Sequence, residues 1–440
     1  MSDKKNIRFF PIFMGATVGV ILEIIGILID EIVVGNLSND AAFASVNLIE
    51  PYTYLEVFLA YLIGVGGAAL IVRAHGAGDK KRMSQLFSHT IIICAIVGVA
   101  LTAIYVIFTP QLVHLVADKP EVYKYSLQYF NVMRFYPLLD MFDTFIFTYV
   151  LYRGGYVQFY TSMIARVVIN AGLSWYLGMQ MGVAGIALAS IISIGVALLI
   201  KLTFLFTKKH GLKMTRYLSL RDAIEIAKLG FAESALTAFI VILEVSINRF
   251  TLTKYGKLGV AAIAIVIDIF EFVLYLGEGI SEYETVAIND SIGKNSKQSM
   301  DHSIKTAKRA TWIEGIVLSA IILLTASVMP GAMDIDDSHT AQQATVMLMI
   351  FAPGAIFICL SRVTAIFYQY TLRKRRTLIL FGMSVALCPS LLGIAFGQIS
   401  LEAIALGVGL GPVVATALMY GYVRLIKKEK LFDYSVLKLG

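Results

Sequence analysis

The sequence predicts an all-α integral membrane protein with about twelve transmembrane helices in two pseudo-symmetric six-helix lobes. Three observations predict it. Of 440 residues, 58% are hydrophobic and only 15% charged, against about 25% charged in a soluble domain. The mean hydropathy is +0.76, so the chain holds more apolar surface than a globule of its size can bury, and lipid must cover the rest. The second half also echoes the first: residues 41 to 50 read AAFASVNLIE and residues 261 to 270 read AAIAIVIDIF, identical at five of ten places with an offset of 220, half the chain. A secreted enzyme, a nucleic-acid module and a disordered scaffold are excluded, because each needs a polar surface that is missing.

A crossing needs about 20 largely apolar residues. Stretches of that kind cover 8 to 34, 41 to 72, 86 to 109, 122 to 150, 160 to 178, 183 to 207, 226 to 253, 258 to 289, 306 to 329, 341 to 370, 377 to 397 and 401 to 426. The first follows MSDKKNIRFF with no small-residue cleavage site before Glu23, and reads as a retained span. Pro51 and Pro137 fall inside spans two and four and are expected to kink them.

Alternate loops differ in basic content. Lys4/Lys5/Arg8, RAHGAGDKKR (73 to 82), Arg153, KKHGLKMTRYLSLR (208 to 221), GKNSKQSMDHSIKTAKR (293 to 309), LRKRR (372 to 376) and RLIKKEK (424 to 430) form one set. The loops GNLSND, ADKPEVYK, GMQMG, KYGK, PGAMDIDDSH and FGQIS form the other. Lys/Arg-rich loops stay inside, which places both termini in the cytoplasm. The longest cytoplasmic connection divides the chain into an N-terminal lobe (1–207), a linker (208–225) and a C-terminal lobe (226–440). Six is even, so the halves are parallel repeats, an arrangement that places a binding cavity between them.

Ionisable residues inside spans are costly, about 2.5 to 3.5 kcal/mol each, and so mark an aqueous interior and a functional site. Span one carries Glu23 and Asp30, seven residues apart on one face, with Glu31 rotated away; span two carries Glu50 and Glu56; span four carries Asp140 and Asp143. Span seven adds Glu244. In span eight Asp268, Glu271, Tyr275, Glu278 and Glu282 step by 3, 4, 3 and 4, one continuous helix face. Carboxylates that share a cavity repel, and one of them is then able to hold a proton near neutral pH. Arg362 in span ten is the leading counter-ion for this acidic half. Tyr52, Tyr54, Tyr136 and Tyr275 are placed to hold large cations by cation–π contact.

Other chemistries lack their motifs. Cys94, Cys359 and Cys388 are isolated, the six histidines form no metal constellation, and no Walker A, H-E-x-x-H or G-x-S-x-G is present. The reading is therefore not an enzyme, with no cofactor, no resident metal and no nucleic-acid partner.

Four motifs carry a resemblance over nearly the whole length. ILIDEIVVGNLSNDAAFASVNLIEP (27 to 51) has an Asp on helix one, a Val-Gly turn and an Ala-rich start to helix two. RAHGAGDKKR is a Gly-x-Gly basic loop. YRGGYVQFY follows helix four, and NAGLSWYLGMQMGVAGIALAS (170 to 190) is an Asn-bearing helix five leading into Gly-Val-Ala-Gly. Together they resemble the multidrug and toxic compound extrusion family. The resemblance implies a twelve-helix, two-lobed antiporter in the cell membrane, working as a monomer among membrane lipids. Its implied activity is export of amphipathic organic cations in exchange for H+ or Na+. Carried over by position, Asp30 matches the helix-one Asp linked to ion coupling, Asn170 the helix-five Asn, and Glu244 a helix-seven Glu of the sodium-type branch. Ser174 stands where the family usually has a second Asp, a loss for which Asp140, Asp143 or Glu23 would compensate. The helix-ten acid of some members has no counterpart in CLSRVTAIF. Two rival readings share the fold: a lipid-linked oligosaccharide flippase, which an acidic interior disfavours, and a non-transporting receptor-like scaffold.

Overall fold

A backbone inside lipid must satisfy its own N–H and C=O groups, and helices do so within one segment. The computed structural model describes residues 7–36, 40–117, 119–208, 210–332, 337–371 and 374–440, and no strand occurs among them. Lys4, Lys5, the loop positions 37–39, 333–336 and 372–373 and the Glu31 side chain lie outside the described residues.

The chain divides into two units, Phe10–Ser234 and Ala235–Gly440 with Met1–Phe9. The first contains α1 (Phe9–Asn36, from its second residue), α2 (Asp40–Asn47), α3 (Glu50–Gly76), α4 (Lys80–Val116), α5 (Pro120–Met133), α6 (Tyr136–Tyr152), α7 (Tyr156–Met181), α8 (Val183–Leu202) and the opening of α9 (Leu220–Leu276). The second holds the rest of α9, then α10 (Glu278–Lys294), α11 (Lys297–Thr325), the single turn α12 (Met329–Ala332), α13 (Ser338–Phe351), α14 (Gly354–Tyr370), α15 (Lys374–Phe381), α16 (Cys388–Phe396) and α17 (Leu401–Gly421).

Seven described helical stretches are long and apolar enough to cross a membrane, or eight with α13 and α14 taken as one span bent by 50°. The expected stretches 226 to 253 and 258 to 289 run together in Leu220–Lys294. They are separated inside α9 by Gly256, whose φ of 73° is a left-handed conformation open to glycine.

Proline does more than kink. Pro51 and Pro137 each occupy the first turn of a new helix, α3 and α6. Proline has no N–H for the carbonyl one turn back but fits a helix start, so the ladder is cut and begun again. Spans two and four are therefore divided helices, and Pro353 cuts between α13 and α14 in the same way.

Residues 210–225 pack on the ends of α4 and α6 within the first unit. Arg82 forms a two-pronged pair with Asp222 at 2.7 and 2.8 Å, Tyr217 donates to Asp222 at 2.7 Å, the Thr215 N–H donates to Ser88 Oγ at 2.8 Å, and the Tyr149 hydroxyl meets His210 Nδ1 at 2.8 Å. Behind this cover α9 starts in backbone contact with α3. A Cβ at Gly66 would lie 2.1 Å from the Ile226 carbonyl oxygen, and one at Gly230 2.2 Å from that of Leu62, so both must be glycine.

Candidate functional site

In the first unit the polar side chains collect on facing helix stripes. Arg166, Asn170 and Ser174 are spaced by four along α7 and share a face. Opposite them on α1 is Asp30, which accepts from Ser174 Oγ at 2.6 Å, from Ser190 Oγ of α8 at 3.2 Å and from Asn170 Nδ2 at 3.5 Å. Asn170 Nδ2 also reaches Ser190 Oγ at 3.3 Å, while its Oδ1 is buried with no hydrogen-bond partner. One turn beyond Asp30, Val33 and Val34 pack on Ile186 of α8 and fix the approach of the two helices. No Lys or Arg makes an ion pair with Asp30 among the described residues. Its partners are neutral donors, and Arg166 acts on it only through space.

Arg166 connects this cluster to a second one. It donates to the Tyr136 hydroxyl at 3.1 Å and interacts electrostatically with Glu23, Asp140 and Asp143. Asp143 forms a buried ion pair with Lys201 of α8 at 2.6 Å. Asp140 is 3.5 Å from Thr144 Oγ1 and has its other oxygen buried without a hydrogen-bond partner. Glu56 of α3, 2% exposed, lies within the electrostatic reach of Asp140. Glu23 remains exposed on α1. The first unit thus brings Asp30 together with Asn170, and Asp140 with Asp143.

In the second unit the acidic stripe runs across a one-residue interruption of the helix. The helix breaks at Gly277, which parts Asp268, Glu271 and Tyr275 on α9 from Glu278 and Glu282 on α10. Burial deepens along the stripe, from exposed Asp268, through half-buried Glu271, Tyr275 and Glu278, to buried Glu282. Arg362 of α14 sits at the break: Nη1 donates to the Leu274 carbonyl at 2.8 Å, Nε to Ser281 Oγ at 2.9 Å, and Nη2 is 3.8 Å from Glu278. A carbonyl left over at a helix end needs a donor, and the guanidinium fork supplies it. Glu244 on α9 is half-buried, with no hydrogen bond or ion pair among the described residues.

Sequence reasoning missed four participants. Ser190 reads as one more small residue in ALAS, and Lys201 as a cation at the end of an apolar run. Glu314 of α11, with one oxygen buried and unpartnered and Arg362 within electrostatic reach, had no periodic neighbour to mark it. Glu284 of α10, near an expected span end, is fully buried with no hydrogen-bond partner at either oxygen.

Asp30 is thus a carboxylate ringed by hydroxyl and amide groups inside a helix bundle, and the MatE family model matches residues 16–176 and 234–399. The chain belongs to the MatE family. The resemblance read from the motifs therefore holds. This MatE protein is 26% identical over 318 residues to the probable multidrug resistance protein YoeA of Bacillus subtilis (strain 168), covering 69% of this chain and 67% of that one. It is 24% identical over 345 residues to the multidrug export protein MepA of Staphylococcus saprophyticus, covering 77% and 75%. A crystal structure of MATE in the bent conformation superposes with a TM-score of 0.84 at 20% identity, covering 98% of this chain and 94% of that one. A MOP superfamily transporter from Pyrococcus furiosus superposes at 0.86 and 19% identity, with 98% and 96% covered. At such identities the structures speak for the fold alone; the family match and the apolar helices make this a multi-pass membrane protein.

Proposed function

We propose that this MatE protein is a multidrug efflux antiporter of the cell membrane that exports amphipathic organic cations in exchange for H+ or Na+ by alternating access. In this reading it has twelve spans in two six-helix lobes, cytoplasmic termini and a monomeric working state, and it carries no cofactor. Its likeness to a probable multidrug resistance protein, YoeA, and a multidrug export protein, MepA, supports multidrug export.

The observation that carries the coupling is Asp30, held by Ser174, Ser190 and Asn170 and by no cation among the described residues. A carboxylate paired with a cation is held in its charged form, whereas one among neutral donors changes charge at lower cost. The cluster offers H+ a single carboxylate. It offers Na+ a set of hard oxygens: both of Asp30, the two serine hydroxyls and the unpartnered Asn170 Oδ1. Binding of either ion neutralises Asp30 and shifts the balance between the states that hold and release substrate.

The test is accumulation of a fluorescent organic cation in proteoliposomes under an imposed pH or Na+ gradient, with Asp30→Asn for comparison. Flux driven by one gradient and abolished in the variant is expected, and names the ion. Undiminished flux in the variant removes Asp30 from the coupling; no flux under either gradient turns the reading toward an anionic, lipid-linked substrate.

A further inference from the structure

The outward face of α11 changes character along its length. Lys305, Lys308 and Arg309 are exposed near its start. From Trp312 onward the exposed residues include Ile313, Ile316, Val317 and Leu324, and none of the exposed residues between Trp312 and Leu324 is charged. On a multi-pass membrane protein an uncovered apolar strip of this kind faces hydrocarbon. A tryptophan at the point where basic gives way to apolar marks the membrane–water boundary.

A concavity of about 350 Å³ opens at that boundary. Lys305, Lys308, Arg309 and Trp312 line it from α11, and Phe432 and Tyr434 close it from the C-terminal segment. That wall is anchored. The Phe432 ring packs edge-on against Phe367 at 5.1 Å, Lys308 Nζ lies 5.0 Å from the Phe432 ring centre, and the Tyr434 hydroxyl donates to Asp301. Asp301, the carboxylate that lines the concavity, is thereby engaged. None of the three cations makes an ion pair among the described residues.

We propose that this concavity binds the headgroup phosphate of an anionic phospholipid of the cytoplasmic leaflet, its acyl chains lying along Ile313, Ile316, Val317 and Leu324. Three cations without ion-pair partners among the described residues supply the charge that a phosphate needs. The apolar strip running directly out of the pocket is what distinguishes a lipid from a free phosphate. Orientation by the Lys/Arg-rich loops puts the site on the leaflet that carries anionic lipid. The inference rests on a membrane-embedded α11 and on the proposed cytoplasmic side of the Lys/Arg-rich loops, and does not depend on the antiport reading.

Trp175 and Trp312 are the two tryptophans, so Trp175→Phe leaves Trp312 as sole reporter. The full chain in that background is reconstituted in phosphatidylcholine vesicles containing a minor fraction of brominated phosphatidylglycerol, and quenching of Trp312 is compared with that by the same fraction of brominated phosphatidylcholine. The site requires quenching that corresponds to about five-fold or greater enrichment of the anionic lipid, falling to the bulk level in Lys305→Gln/Lys308→Gln/Arg309→Gln. Quenching by brominated phosphatidylcholine stays unchanged in that variant if Trp312 still faces lipid, which separates loss of the site from loss of the fold. Bulk-level quenching in the parent, or equal enrichment in the triple variant, overturns the proposal. So does displacement of the lipid by millimolar inorganic phosphate, which would make the pocket a simple phosphate site.

Discussion

Ser174 Oγ donates to Asp30 Oδ1 at 2.6 Å, the shortest contact in the Asp30 cluster. The resemblance places a second aspartate at that position, and the serine reverses its electrostatic sense. A like charge beside Asp30 would oppose ionisation, whereas a hydroxyl donor supports the carboxylate. Asp30 therefore works with neutral partners, whereas Asp140 and Asp143 of α6 are grouped around Arg166 and Lys201.

Ser174→Ala tests that arrangement. A hydrogen bond to a charged group is worth about 1.5–3 kcal/mol, so its loss should shift the coupling-ion concentration that half-saturates flux by about ten-fold or more. Maximal flux should fall less than in Asp30→Asn. A half-saturation equal to that of the parent would show that the serine does not act on Asp30.

The class of fold was legible because composition and span length are one-dimensional quantities. So were the cuts at Pro51 and Pro137, since a missing N–H is a property of the residue itself, although their outcome as new helix starts rather than kinks was not. The pairing of Asp30 with Ser190 was hidden, because it joins residues 160 positions apart and a serine in ALAS looks like helix packing. The break at Gly277 was hidden too. It interrupts a carboxylate pattern with perfect helical spacing, and a glycine carries no signal as strong as proline's.

Lys201 and Asp143 are each less than one-tenth exposed and 2.6 Å apart. Removing one member of a buried pair strands the other and costs about 3–5 kcal/mol, while replacing both by apolar groups is often neutral or better. Lys201→Met and Asp143→Asn should each lower the melting temperature of the purified protein by about 5 °C or more. The double variant Lys201→Met/Asp143→Leu should recover most of that loss. Additive losses in the double variant would show that the two side chains do not act as a pair.

Arg362 serves three partners at the α9–α10 break through one planar fork. A lysine keeps the charge but cannot reproduce that geometry. Arg362→Lys and Arg362→Ala should both speed amide exchange in the peptide spanning 274–282, to similar extents, and leave the first unit unchanged. Parent-like protection in Arg362→Lys would mean that charge alone holds the break together.

Asp337 caps α13, accepting from the Thr340 N–H at 2.8 Å and from Thr340 Oγ1 at 2.6 Å. These donors hold its carboxyl below the ordinary value of 3.8. A depressed folded value means that the charged form binds its partners better in the native state, so the contribution is complete above the unfolded value and is lost as pH falls through the folded one. Asp337→Ala should therefore melt measurably lower than the parent at pH 7 and equally so at pH 5. The gap should close only well below the ordinary value of 3.8. A gap that disappears between pH 7 and 5 would assign the effect to a group other than this carboxylate, and a gap that persists in strong acid would assign it to the lost side-chain packing rather than to the cap.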